Sequence, residues 1–175
     1  DLTGTLIEIA DSENSGGVTY VMEKILIYDF IKSVSDKFND TLHEKNLFFS
    51  LNCENRNLKI KVDKSRFEFV IYTLLENACN YTQPGKNVAI NITESLFKVR
   101  ISVQDDGIGI SKQDLRHVFK KFYRGKNARV TDTEGLGVGL YLASSITKHF
   151  RGSIRVESVG ENMGSTFTVS LPRYR

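Results

Sequence analysis

From Phe97 to Gln104 apolar and polar residues swap at every position (Phe-Lys-Val-Arg-Ile-Ser-Val-Gln). The run then ends in Asp105-Asp106-Gly107-Ile108-Gly109-Ile110. A period of two is that of a strand with one buried face, so this stretch demands a layer of other elements on one side only. The carboxylate and two glycines that follow are chemically pointed. Without a Cβ, Gly107 and Gly109 let the backbone turn sharply and pass close to a flat ligand. Taken alone, Asp-x-Gly-x-Gly is also an ordinary turn, so its meaning depends on what the rest of the chain brings to it.

The same one-sided alternation recurs along the chain. Leu47, Phe49, Leu51 and Cys53 alternate, as do Leu58, Ile60 and Val62, and then Val88, Ile90 and Ile92. Two closing strands carry Ile154 and Val156, then Phe167, Val169 and Leu171 on one face, and Thr19 to Ile27 reads as a short strand. Between them lie helical patterns. One starts at about Asp29 with Phe30, Ile31, Val34, Phe38 and Leu42. A second is capped by Asp63 and carries Phe67, Val70, Ile71, Leu74, Leu75 and Ala78 up to Tyr81, where Pro84-Gly85 stops it. A third runs from Gly139 to Phe150. One-sided strands roofed by helices predict an α/β (α+β) two-layer sandwich. Its sheet should be mixed, mostly antiparallel, and covered on one face by helices.

The 175 residues suit one domain with a real core. A net charge of +3, dispersed among residues of both signs, gives no reason to expect a nucleic-acid partner. Cys53 and Cys79 lack CxxC spacing and read as packed thiols, and His43, His117 and His149 show no zinc-ligand spacing. No apolar run reaches membrane-spanning length. Leu2 to Ala10 reads as the tail of a preceding helix, and Asp11 to Gly17 as a linker. With no Met at position 1, the chain is expected to be a piece of a longer protein, residues 1–18 being helix end and linker and 19–175 the domain.

Three further constellations carry chemistry. In the middle helix Asn77 and Asn80 lie on or beside the apolar stripe, with Tyr81 four residues after Asn77. Asn is a poor helix former whose amide needs partners. An amide oxygen facing a cavity suits Mg²⁺, which takes few protein ligands and several phosphate oxygens, and Tyr81 can stack on a base. Gly135-Leu136-Gly137-Val138-Gly139-Leu140 enters a helix, offering free N–H groups and the positive end of the helix dipole to phosphates. It is neither a Walker loop nor a dinucleotide-binding βαβ fingerprint. Between these motifs, Phe119 and Phe122 are expected to anchor a long loop (about 117–135). From that loop Arg124, Lys126 and Arg129 face anions.

The order of these motifs resembles the catalytic, ATP-binding domain of sensor histidine kinases, of the Bergerat-fold ATPase group that includes gyrase B, Hsp90 and MutL. The likeness covers about residues 19–172, including the final Gly164-Ser165-Thr166-Phe167 to Leu171-Pro172 strand. It implies ATP and Mg²⁺ as cofactors. Asn77 would bind Mg²⁺, and Asp105 would accept the adenine N6 hydrogen bond. Gly107 and Gly109 would pass beside the base, Ile110 and Leu140 would wall its pocket, and Tyr81 would cover the ring. Thr166 would reach the water network near the base. Asn80, Arg124 and the stretch Gly135, Leu136, Gly137, Val138, Gly139 would face the phosphates, with 117–137 as the ATP lid.

Against that pattern, Thr73 stands where a polar base is usual, Asn80 where Lys or Arg is usual, Asp106 where Asn is commonest, and Leu136 where Thr is common. His43-Glu44 opens like a phosphoacceptor motif, but Leu47 follows where Pro or Thr is expected. The resemblance therefore implies transfer of the ATP γ-phosphate to a histidine on a dimerisation domain outside this chain, with a response regulator receiver domain downstream. It implies a monomeric fragment of a homodimeric parent, cytoplasmic and anchored through that parent in the bacterial inner membrane. Two other readings stay open: a non-catalytic nucleotide-sensing interaction module, and a gyrase- or Hsp90-like ATPase. Thr73, a weak activator of water, weighs against the last.

Overall fold

The computed structural model describes residues 19–125 and 136–174. Its elements are β1 (Met22–Leu26), α1 (Ile27–Asp36), α2 (Asn39–Glu44), β2 (Phe48–Cys53), β3 (Lys59–Asp63), α3 (Lys64–Tyr81), β4 (Asn87–Glu94), β5 (Lys98–Asp105), α4 (Gly139–His149), β6 (Ser153–Glu157) and β7 (Ser165–Pro172), with a 3₁₀ turn at Asp114–Arg116. Five strands form the main sheet in the order β2-β4-β5-β7-β6. Only β2 and β4 run parallel; the other three pairs are antiparallel. β1 and β3 make a separate antiparallel ribbon with Ile25 opposite Ile60, a second sheet that local alternation does not distinguish from the first.

The sheet is one-sided, as its alternation demands. Val88, Ile90 and Ile92 of β4, Val99, Ile101 and Val103 of β5, and Phe167, Val169 and Leu171 of β7 are all buried. With α3 and α4 they make one continuous core, and each large side chain in it contributes roughly 1.5–3 kcal/mol. The opposite face is polar: Asn52 donates to Asn91 across 3.0 Å, and the hydroxyls of Ser102 and Thr168 pair at 3.0 Å. No helix of the described residues is long and apolar enough to cross a membrane.

The first helical region departs from the expected single helix. It begins at Ile27 and ends at Asp36, and a second, short helix begins at Asn39. Ser33 and Ser35 donate their hydroxyls to the carbonyls of Phe30 and Ile31, which weakens the helix near its end. The apolar periodicity survives the break because Phe38 and Leu42 are still buried, Phe38 tilted against Tyr72 at 4.6 Å.

Asp63 starts α3 as expected, and does more. Its Oδ1 accepts from the Arg66 N–H (3.1 Å), while Oδ2 accepts from Arg66 Nη1 (2.8 Å) and from the Val21 N–H (3.0 Å). The residue is buried, so Asp63→Ala removes a cap and leaves an amide and a guanidinium without their acceptor. We expect a loss of about 2–3 kcal/mol, read as a lower urea midpoint with an unchanged slope. Asp63→Asn, which keeps one acceptor oxygen, should recover part of it.

Candidate functional site

Three elements converge on one cavity of about 310 Å³, a size suited to a small ligand. The last two turns of α3 contribute Asn77, Asn80 and Tyr81. The end of β5 contributes Asp105 with the Ile108-Gly109-Ile110 turn, and the start of α4 contributes Gly137, Val138, Gly139 and Leu140.

Asp105 is the last residue of β5 and is 6% exposed. Its Oδ1 accepts from the Gly107 N–H at 2.9 Å, and its Oδ2 accepts from the Ser165 hydroxyl at 2.6 Å. Ser165 is its cross-strand partner at the start of β7. These bonds hold the carboxylate in one orientation yet leave lone pairs for a ligand. Burial raises its pKa above the ordinary 3.8, against the opposing pull of the Ser165 and Gly107 hydrogen bonds. Asp106 plays a different part. Its carboxylate accepts from the Asn87 amide (2.7 Å) and its carbonyl from Lys86 Nζ (2.9 Å), away from the cavity lining. The two carboxylates are thus not an acid–base pair.

The glycine turn is pinned on both sides. The Ile108 N–H donates to the Tyr81 carbonyl at 3.0 Å, and the Asn162 N–H donates to the Ile108 carbonyl at 2.6 Å. A Cβ on Gly107 would lie 2.3 Å from the Tyr81 oxygen, so only glycine lets this turn approach the end of α3. Gly109 sits at φ +64°, and a Cβ there would lie 2.0 Å from the Gly160 oxygen.

On the opposite wall, α4 begins after Val138 with no side-chain cap, leaving its first N–H groups and positive dipole end beside the cavity. Arg124 also lines it. The segment before α4 is fastened by the Phe122 N–H, which donates to the Gly137 carbonyl at 2.9 Å.

A family model described as histidine kinase-, DNA gyrase B-, and HSP90-like ATPase matches residues 62–175. The chain belongs to that ATPase family. Sensor protein RprX of Bacteroides fragilis is 33% identical over 156 residues, covering 88% of this chain and 30% of its own length. Sensor histidine kinase WalK of Bacillus subtilis is 34% identical over 152 residues, 86% of this chain and 24% of its own. This chain thus spans about a quarter to a third of the length of these two relatives. The catalytic domain of histidine kinase ThkA superposes with a TM-score of 0.77 over 87% of this chain and 97% of that one. At 24% identity, that likeness speaks for the fold.

Within this ATPase-family fold, most of the residues singled out by sequence meet in the cavity: Thr73, Asn77, Asn80, Tyr81, Asp105, Gly109, Ile110, Arg124, Leu136, Gly137, Val138, Gly139 and Leu140 all line it. Gly107 lies just beneath, as its contact with Tyr81 requires. Gly135, Lys126, Arg129 and Leu2 to Ala10 lie outside the described residues.

Thr166, expected at the water network near the base, is not among the residues lining the cavity; its neighbour Ser165 lines it and holds Asp105. Strand alternation explains the shift, since Ser165 shares the buried face of Phe167 and Val169, whereas Thr166 belongs to the opposite face. One expectation needs correcting: the paired phenylalanine anchor is in fact single. Phe119 packs edge-on against Phe167 (6.3 Å), whereas Phe122 is 68% exposed, its backbone bonded to Gly137 and its ring under the neighbouring Lys121 ammonium. Sequence reading also missed Asp114 and Tyr123, whose carboxylate and hydroxyl hydrogen-bond each other at the cavity wall.

Proposed function

We propose that this chain is the ATP-binding catalytic domain of a sensor histidine kinase, with its core from about residue 19 and an ATP lid at about 117–137. The observation that carries this reading is the pairing of opposite chemistries in one cavity. A buried, oriented carboxylate acceptor (Asp105) shares it with anion-binding groups: Arg124 and the uncapped start of α4. Adenine offers an exocyclic N–H to the first, and its phosphates suit the second. Guanine presents a carbonyl at the equivalent position, so Asp105 selects adenine.

Asn77 supplies one hard amide oxygen to the same cavity, and among the described residues no cluster of three His, Cys, Asp or Glu side chains is placed to hold a metal. That donor set fits Mg²⁺, which binds through one protein group and phosphate oxygens, and not a protein-caged ion. When bound, Mg²⁺ offsets charge on the phosphates. The chain's own residues do the positioning: Tyr81 and Ile110 enclose the base, Asp105 fixes its edge, and α4 with Arg124 orients the phosphates. An imidazole nitrogen of a histidine on a dimerisation domain then attacks the γ-phosphorus as the bond to the β-phosphate oxygen breaks, and ADP leaves.

Thr73, buried beside Gly139 at the cavity, has no basic group to activate water, which favours transfer over hydrolysis. A receiver domain as the next phosphate acceptor, a homodimeric parent and its membrane anchoring belong to the same proposal. The test mixes this chain with γ-labelled Mg-ATP and a histidine-bearing dimerisation domain. Acid-labile, base-stable label on that histidine is the expected result. ATP binding without transfer would leave a nucleotide-sensing module, and steady hydrolysis without any histidine substrate would leave a gyrase-like ATPase.

A further inference from the structure

Among the described residues, the cavity's charge is poorly matched to the ligand proposed for it. Among its described lining residues Glu76, Asp105 and Asp114 are acidic, and Arg124 is the one Lys or Arg. A triphosphate brings several negative charges; the Mg²⁺ proposed above would offset two of them, and one guanidinium with a helix dipole offsets only part of the rest. A second cation stands immediately behind the lining. Lys45, at the end of α2, is half-buried and reaches across to the last turn of α3. Its Nζ donates to Asn80 Oδ1 at 2.7 Å and to the Cys79 carbonyl at 3.2 Å. Asn80 itself lines the cavity, one helical turn from Asn77. The amide oxygen of Asn80, a lining residue, therefore holds a lysine ammonium next to the wall that carries the residue proposed for Mg²⁺. An ammonium has three protons to donate, and two are accounted for by these bonds.

Resting on the ATP reading above, we propose that Lys45 is a phosphate-binding residue of this site, contributed by α2 from outside the cavity's own elements, and that Asn80 is its positioning residue. A lysine serving only to cap the Cys79 carbonyl would add to the stability of α3 and would not distinguish a nucleotide from its nucleoside. A phosphate ligand must distinguish them. Adenosine affinity depends on Asp105, Tyr81 and Ile110; ATP affinity should depend on these and on Lys45.

Calorimetric titration of the chain with Mg-ATP and with adenosine separates the cases. Lys45→Gln should weaken ATP binding about tenfold, the size of one charge-assisted hydrogen bond, and leave adenosine binding unchanged. Lys45→Arg should retain most of the affinity. The double variant Lys45→Gln/Asn80→Lys, which moves the cation to the position it now touches, should recover ATP binding and guards against a folding defect in the single variant. Equal losses for ATP and adenosine, or no loss for either, would overturn the assignment while wild-type ATP binding kept the parent reading intact. If the wild-type chain bound no Mg-ATP, both would fall together.

Discussion

Asp105→Asn should fold normally and bind ATP roughly ten- to a hundredfold more weakly. The replacement keeps the side chain's volume. An Asn oxygen can still accept from the Gly107 N–H, now at 2.9 Å, and the Ser165 hydroxyl can turn to accept from the new amide nitrogen. What changes is the face offered to the base: an acceptor becomes a donor opposite the adenine N–H. A hydrogen bond to a charged acceptor is worth about 1.5–3 kcal/mol, which is the affinity range quoted. Titration calorimetry measures it, and the preference for adenine over guanine nucleotides should shrink in parallel.

The same carboxyl makes ATP binding pH-dependent. Burial holds its pKa above 3.8, so acidification should discharge it, and weaken ATP binding, at a higher pH than an exposed Asp would show; Asp105→Asn should lose that dependence. The stability effect has the opposite sense. The folded chain holds this proton more tightly than the unfolded chain. Asp105 thus contributes stability that is fully present below its unfolded pKa and lost as pH rises through the folded one. Near neutral pH the buried charge is a cost, so Asp105→Asn should melt no lower than wild type while binding less ATP.

Gly109→Ala should act on the scaffold itself, costing about 2–4 kcal/mol of unfolding free energy. At φ +64° an alanine is strained before any contact is considered, and its Cβ would lie 2.0 Å from a backbone oxygen, that of Gly160. That oxygen cannot retreat freely. The turn carrying it also holds the Asn162 N–H on Ile108 and the Gly164 N–H on Gly107, at 2.6 and 3.1 Å. Relief would have to move the wall that carries Ile110, so nucleotide affinity should fall with stability. Gly85 is the control. It has φ +80° but nothing within 4 Å of an added Cβ, so Gly85→Ala should cost only the left-handed conformation, about 1–2 kcal/mol, in the same urea titration.

What the sequence disclosed was whatever is written locally. The stripe from Phe67 to Ala78, the Asp63 cap and the β4 and β5 alternation are each complete within one segment, and the structure places them as read. The site residues on those segments followed. What it concealed depends on partners far along the chain. The parallel pairing of β2 with β4 and the separate β1–β3 ribbon are choices between similar alternating strands, settled by packing. Ser165 was hidden because its role comes from lying across from Asp105. Its phase was legible all the same: it shares parity with Phe167, Val169 and Leu171, which points it to the core side where Thr166 does not point. Phe122 misled because aromatic residues three apart suggest one buried face, which a left-handed φ of 62° at Phe122 does not preserve.

The bond from the Phe122 N–H to the Gly137 carbonyl ties two points of the backbone together, with residues 123–136 between them. In polymer terms it is a crosslink between two distant points of the backbone, and everything nucleotide-facing on α3, β5 and α4 is anchored outside the span it closes. Once a loop's ends are fixed, doubling its length costs only about 0.6 kcal/mol. A change of chain length between Gly125 and Leu136 should therefore leave the base-reading geometry of the Asp105 pocket in place, provided that Tyr123, Arg124 and Leu136, which line the cavity, are kept.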